Sequence, residues 1–426
     1  MELTPARGTQ DLLPPAGGRM RALYDRAADL ARRYGYRYVE TPVFEATELF
    51  ARTSGETSDV VAKEMYTFTD RRDRSLTLRP EGTAPVMRAY LHDRQRLGAP
   101  FKAYYLTRMY RYSRPQAGRY REHRQFGVEV FGTDAPDADV EVIGLGDAFL
   151  RSLGLRRYRL ELNSLGDDVC RPAYRTALIA YLTEHADELR DEHKDRFADN
   201  PLRVLDCKDD ACRAVAARAP IMVEHLCDAC DAHFDAVVAG LRVHGLEPVI
   251  TPTLVRGLDY YTRTAFEFVS DAMQEGGNAQ QATLFGGGRY DGLAETLGGS
   301  RVPGVGFGMG LERVLLALAD EEVAPPSEPP LAAYVVAIGG PARNAARALV
   351  AELRTAGIGA DLGYEDRPLK AQLKMADRAD ATVAVIIGEQ ELAAGSVTLR
   401  RMDDGTQTAV ALAEVASHLR AGEASA

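Results

Sequence analysis

The sequence predicts an α+β chain: a mainly antiparallel sheet with helices on one side, broken by a helical insertion and followed by a small α/β domain. Three observations carry that prediction. Strand-like runs separated by turn residues recur through the N-terminal part. A charged stretch at about 171–245 is helical in pattern and has no strand signal. Beyond an acidic, proline-rich segment, Asp320–Pro330, buried strands alternate with helices.

A chain of 426 residues exceeds what a single core fills, so two or three domains are expected, here 1–325 and 326–426. An apolar content of 46% excludes a disordered chain. No apolar run reaches the length of a membrane helix. The N-terminal segment MELTPARGTQDLLPP has no signal-peptide core, and five cysteines make no disulfide framework, so a reduced, cytoplasmic protein is expected. With a net charge of −10, any surface for polyanions has to be a local one.

The elements follow in order. Apolar residues at Met20, Leu23, Tyr24, Ala27, Leu30, Ala31 and Tyr34 make one face of a helix over Arg19–Tyr34, with Gly35 as its stop. Strands are expected at Leu76–Arg79, Ala103–Tyr112, Gln125–Phe131, Tyr158–Leu162, Thr262–Val269 and Gly304–Gly308. The Pro115–Gly118 turn makes an antiparallel hairpin of Tyr104–Phe131. In the last domain Ala333–Ile338 and Ala381–Ile387 read as buried strands, Val397–Arg401 as a more exposed one, and Ala411–Leu419 as a closing helix. A helix opens with Pro341 and stops before Gly357.

Thr107–Phe131 holds six arginines, 108, 111, 114, 119, 121 and 124, with Glu122 the one acid before the strand reaches Glu129. Planar bidentate donors suit phosphate oxygens, so a polyphosphate or nucleic-acid substrate is the leading reading. Along Gln125–Phe131, alternation points Phe126, Val128 and Val130 at helices, and Gln125, Gly127, Glu129 and Phe131 the other way, into a polar pocket or solvent. In Leu78–Thr83, Glu81 and Thr83 sit where a strand gives way to a helix. Thr83 is either a helix cap, a pocket residue or both. Gly286–Asp291 and Gly304–Glu312 offer backbone that a ligand approaches closely, although most such runs are turns. Arg313 falls in the first turn of a helix, where the dipole gives it nothing and an anion would. Arg256 precedes Gly257, Asp259, Tyr260 and Tyr261. Cys207, Cys212, Cys227 and Cys230 form C-x4-C…C-x2-C. The second pair has knuckle spacing, but the first is too wide, so free thiols are favoured over a structural zinc.

These residues carry a resemblance. The chain resembles the bacterial histidyl-tRNA synthetases, which are class II aminoacyl-tRNA synthetases. The likeness runs from Arg7–Pro14 through Thr41-Pro42, similar to the first class II motif, and the Arg111 hairpin, similar to the second. It continues in Leu254–Tyr261, similar to a histidine-specific signature, and Gly308–Arg313, similar to the third motif. The resemblance implies a class II synthetase-like catalytic domain and a C-terminal anticodon-binding-like α/β domain. It also implies ligation of L-histidine to tRNA(His) through a histidyl-adenylate, with ATP as substrate together with Mg2+, in a homodimer. By the resemblance Arg111 and Arg256 are catalytic, and Arg111, Arg119 and Arg313 hold ATP. Glu81, Thr83, Gln125, Glu129, Arg256, Tyr260 and Tyr261 hold histidine, and Arg114 and Gln116 approach the tRNA acceptor end. No resident metal is implied. The family pattern Arg-Glu-Phe-His-Gln is Arg121-Glu-His-Arg-Gln125 here, so His123 or Arg124 would do any stacking on adenine. The rival reading is a non-catalytic, histidine-sensing regulatory subunit of ATP phosphoribosyltransferase. Such subunits lack the Arg256-type signature and the last domain.

Overall fold

Alternation along a few strands separates the two faces of one long sheet, and that separation positions everything functional. The computed structural model describes residues 3–54, 64–194, 197–198, 200–205, 207, 209–256, 260–277 and 281–423. Two units form, Met1–Ser327 and Glu328–Ala426. The strands of the first are β1 (Arg37–Tyr38), β2 (Phe44–Ala46), β3 (Tyr66–Thr69), β4 (Ser75–Leu78), β5 (Phe101–Tyr110), β6 (Glu122–Phe131), β7 (Tyr158–Ser164), β8 (Val249–Ile250), β9 (Thr262–Ser270), β10 (Thr283–Arg289) and β11 (Gly304–Gly310). Among the described residues eight of them make one sheet, in the order β1-β5-β6-β11-β10-β9-β7-β8. The central pairs are antiparallel, and the two edge pairs, β1 with β5 and β7 with β8, are parallel. The expected antiparallel sheet is therefore present.

One face of this sheet is apolar. Phe126, Val128 and Val130 of β6, Phe266 and Phe268 of β9, and Phe307 and Met309 of β11 are buried there. They pack with Leu23, Ala27 and Leu30 from the helix Ala16–Arg33, with Val142 and Phe149 from Pro136–Ser152, and with Val314 and Leu318 from Leu311–Asp320. Each phenylalanine so buried is worth about 2–3 kcal/mol of apolar transfer. The opposite face carries Tyr105, Tyr290, Tyr260 and Tyr261 in a second, aromatic cluster.

Two local expectations are corrected and a third is met. The strand expected at Leu76–Arg79 is β4, and it joins a separate sheet in the order β2-β4-β3. The glycine run at Gly286–Gly288 is no turn. It lies within β10, paired on both sides. Local pattern reads glycine as a breaker, but a central strand tolerates it where neighbouring side chains need its space. The helices expected between 171 and 245 are present between β7 and β8, from Arg171–Glu184 to Asp228–Val243, around a core of their own.

The second unit holds β12 (Leu331–Ala337), β13 (Ala360–Leu362), β14 (Ala381–Ile387), β15 (Ser396–Arg401) and β16 (Gln407–Ala411), in the order β13-β12-β14-β15-β16. The first three strands are parallel and the last two antiparallel. Buried clusters cover both faces, as continuous apolar strands require. Residue 411 ends β16, so the expected closing helix starts later, at Val415.

Candidate active site

The polar face of the sheet centres on one carboxylate. Alternation in β6 puts Gln125, Gly127 and Glu129 on that face, and Glu129 is completely buried. Its Oε1 accepts hydrogen bonds from the Thr83 hydroxyl at 2.8 Å and the Tyr105 hydroxyl at 3.2 Å, and its Oε2 accepts one from Tyr290. Burial pushes Glu129 up to about 8, against those hydroxyls, which favour the ionised form. Gln125 donates to the Tyr105 hydroxyl at 3.2 Å. Tyr260 and Tyr261 close the wall, 4.8 Å apart between ring centroids and 5.7 and 6.2 Å from Tyr290. The result is an aromatic cluster around a buried carboxylate that burial keeps protonated at neutral pH.

Glu81 and Thr83 divide two tasks that the sequence left together. The Glu81 carboxylate accepts the backbone N–H groups of Thr83 and Ala84 at 2.6 and 3.0 Å, and so it caps the helix Thr83–Leu97. Thr83 is thereby released from capping and donates to Glu129. Burial pushes Glu81 up, opposed by those two N–H groups and by Arg111.

Guanidinium groups gather beside this pocket. Arg111 donates from Nε to the Pro80 carbonyl at 2.7 Å. Arg313 donates to the Thr283 carbonyl at 2.7 Å, and to that of Gly118, in the hairpin turn, at 3.4 Å. Among the described residues neither Arg111 nor Arg313 has a carboxylate partner within 4 Å, whereas Arg119 pairs with Glu64 at 2.7 Å. Burial and the guanidiniums of Arg111, Arg313 and Arg119 push the His123 imidazole down to about 3, which keeps it neutral. Three arginines from two distant segments thus face one histidine. Arg256 lies with its guanidinium 5.5 Å from the Tyr261 ring centroid and forms an ion pair with Glu267. Glu267 also accepts from Thr283, whose carbonyl holds Arg313, so Arg256 and Arg313 are linked through β9 and β10. Gly257 and Asp259 lie outside the described residues. Among the described residues the buried Arg256 Nε has no hydrogen-bond partner, a group poised for an added acceptor.

The floor between pocket and cations is glycine. A side chain at Gly306 would strike the Glu129 carboxylate, one at Gly308 the Gln125 amide, one at Gly127 the Tyr105 ring, and one at Gly286 the Arg256 guanidinium at 2.5 Å. The sequence reading gave these glycines to a ligand. The structure gives their space to the side chains that line the site. Sequence reasoning missed Tyr105, Tyr290 and Glu267. Tyr105 was within reach of it, because the hairpin register sets Tyr105 opposite Gly127. Tyr290 and Glu267 required the strand order.

Comparison with known proteins decides the family. A model described as histidyl-tRNA synthetase matches residues 8–314, and one described as an anticodon binding domain matches 332–422. A histidine–tRNA ligase of Moorella thermoacetica is 51% identical over 415 residues, 97% of either chain. The chain belongs to the histidyl-tRNA synthetase family. The apo histidyl-tRNA synthetase of S. aureus superimposes with a TM-score of 0.82 at 36% identity, over 98% of this chain and 100% of that one. A structure described as an ATP phosphoribosyltransferase regulatory subunit/histidyl-tRNA synthetase from Bacillus halodurans C has a TM-score of 0.64 at 21% identity, covering 91% and 99%. At that identity it shares the fold, and the fold alone does not separate enzyme from sensor.

Within this histidyl-tRNA synthetase family chain, one of the two stacking candidates is removed. Arg124 does not face the nucleotide side. Strand alternation sends it with Phe126 to the helix face, where it is buried and pairs with Glu312 at 3.2 Å. Only His123 remains on the side of Gln125. The four cysteines of the C-x4-C…C-x2-C pattern fall into two groups. Cys227 and Cys230 lie with Asp167 and Cys170, whereas Cys207 and Cys212 lie with His193. In the hairpin turn Arg114 is exposed, while Gln116 is half-buried and bridges Arg119 through its backbone.

Proposed function

We propose that the protein is a histidine–tRNA ligase, an aminoacyl-tRNA synthetase that joins L-histidine to tRNA(His) at the expense of ATP. The observation that carries this reading is the buried Glu129 carboxylate bonded by Thr83, Tyr105 and Tyr290, with Arg256 at the Tyr261 ring and Arg313 bonded to the Gly118 carbonyl of the turn that Arg111 and Arg119 flank. A polyanion and a small ring-bearing amino acid are thereby accommodated side by side.

Chemically, a histidine carboxylate oxygen attacks the α-phosphorus of ATP. The bond to the bridging oxygen breaks, and pyrophosphate leaves with the electron pair. Arg111 and Arg256 stabilise charge on the α-phosphate, and Arg119 and Arg313 hold the outer phosphates. Arg119 exchanges Glu64 for phosphate as ATP binds. Mg2+ bound with ATP would neutralise phosphate charge, and Glu267 would be an oxygen donor for it. Glu129 and Tyr261 bond the imidazole, with Tyr260 on the same wall, and Glu81, Thr83 and Gln125 receive the α-amino group. In the second step a terminal ribose hydroxyl of tRNA attacks the histidyl carbonyl, and AMP leaves. Arg114 and Gln116 meet the acceptor end, residues 1–325 perform the chemistry, and 326–426 bind the anticodon. No described helix is long and apolar enough to cross a membrane. We place the protein in the cytoplasm as a homodimer.

Pyrophosphate–ATP exchange tests the reading. Exchange that requires histidine and proceeds without tRNA is expected, followed by charging of tRNA(His). Histidine binding without exchange would refute it in favour of a sensor.

A further inference from the structure

Two knuckles meet beneath the helical excursion between β7 and β8. The first is Asp167-x2-Cys170, just after β7, and Cys170 is the N-cap of the helix Arg171–Glu184. The second is Cys227-x2-Cys230, in which Cys227 is the N-cap of Asp228–Val243. Neither cap residue spends its sulfur on the helix it starts. The ligand atoms of all four side chains lie within 4.8 Å of one another. The Asp167 Oδ1 is 3.5 Å from the Cys170 sulfur and 3.9 Å from that of Cys227. Tetrahedral zinc, with bonds of ~2.3 Å to sulfur and ~2.1 Å to oxygen, sets such sulfur–oxygen edges at ~3.6 Å.

We propose that Asp167, Cys170, Cys227 and Cys230 form a structural zinc site. The donor set of three soft thiolates and one carboxylate closes all four positions, which suits a structural rather than a catalytic ion. Positive charge lies beside the ligands, while burial raises the Cys230 thiol, so a cation is what would hold it as thiolate. Two helix N-termini point at the cluster, and Arg263 donates to the outer carboxylate oxygen, Oδ2, at 3.4 Å, which orients Oδ1 toward the thiols. All five cysteines are free, so no disulfide competes for the sulfurs.

The position gives the ion a task. It clamps the point where the helical excursion leaves the sheet to the point where its last helix sets out on the return. It also bears on the pocket, because Leu165 donates to the Arg263 carbonyl at 2.6 Å, Arg263 donates to that of Gly166 at 2.8 Å, and Arg171 donates to the Tyr261 carbonyl. The tyrosine wall thus hangs from the same turn that carries the metal ligands.

Metal analysis of the full chain, purified under reducing conditions from zinc-supplemented cells, tests the proposal. About one zinc per chain is expected, and about none in Cys170→Ser or Cys227→Ser. The paired control, Cys207→Ser with Cys212→Ser, should keep its zinc. Strong chelation should lower the unfolding midpoint of the wild-type chain by about 5 °C or more. Should the Cys170 and Cys227 variants fail to fold, cobalt added to the chelated control variant still reads the site, through thiolate-to-cobalt charge-transfer absorption. Absence of zinc and of that absorption in the reduced wild-type chain would overturn the proposal. So would metal that follows Cys207 and Cys212 instead.

Discussion

At the scale of single residues, the site works through groups whose charge is decided by what surrounds them. Glu129 holds its proton up to about 8, whereas free imidazole takes one up only below ~6.5. Between these values the empty site and neutral histidine share a single proton, and the pair binds without proton exchange. Above about 8 the site loses that proton, and binding has to recover it, because an unpaired buried carboxylate is disfavoured. Below ~6.5 the pair has one proton too many. Histidine affinity measured by equilibrium dialysis is therefore expected to be bell-shaped, with a plateau from ~6.5 to about 8. Glu129→Gln should lose the alkaline limb, and an unchanged limb would contradict the assignment. Arg256 offers a second test. Arg256→Lys keeps a cation opposite Glu267 but loses the planar fork. Exchange should fall by about 10²–10³-fold with an unchanged circular dichroism spectrum.

At the scale of elements, β10 joins the site to the helices. Arg289 at its end is fully buried and pairs with Asp139 of Pro136–Ser152 and with Asp291, and its Nη1 donates to the Thr133 carbonyl at 3.0 Å. Removing one partner strands buried carboxylates, so Arg289→Ala should cost about 3–5 kcal/mol in denaturant unfolding. A loss below about 1 kcal/mol would show the network to be dispensable. This network was not legible in the sequence. The glycines before Arg289 read as ligand-approached backbone or a turn, and only pairing on both sides shows a strand. The hairpin of β5 and β6 was legible, because an apolar period of two flanked a proline–glycine turn. Its neighbour across the sheet, β11, lies far along the chain, so the closeness of Arg313 to the turn was invisible.

At the scale of the whole molecule, the two units have separate cores and separate sheets. If 1–327 performs the chemistry and 328–426 recognises tRNA, the fragment 1–327 should retain histidine-dependent exchange within about tenfold while losing tRNA charging by about 10²-fold or more. Charging by the fragment at the full-chain rate would remove the second unit from recognition.

The amino-acid order by itself determined the two architectures, the polar face of β6 and the clustering of arginine around one turn. These depend on short-range period and composition, which a linear chain displays directly. Tertiary structure alone decided that Glu267 holds Arg256, that Tyr290 bonds Glu129, that Glu312 pairs with Arg124, and that Cys170 belongs with Cys227 and Cys230. Each of these joins residues from different strands or helices, and such partners are fixed by strand order and register, which no local pattern encodes.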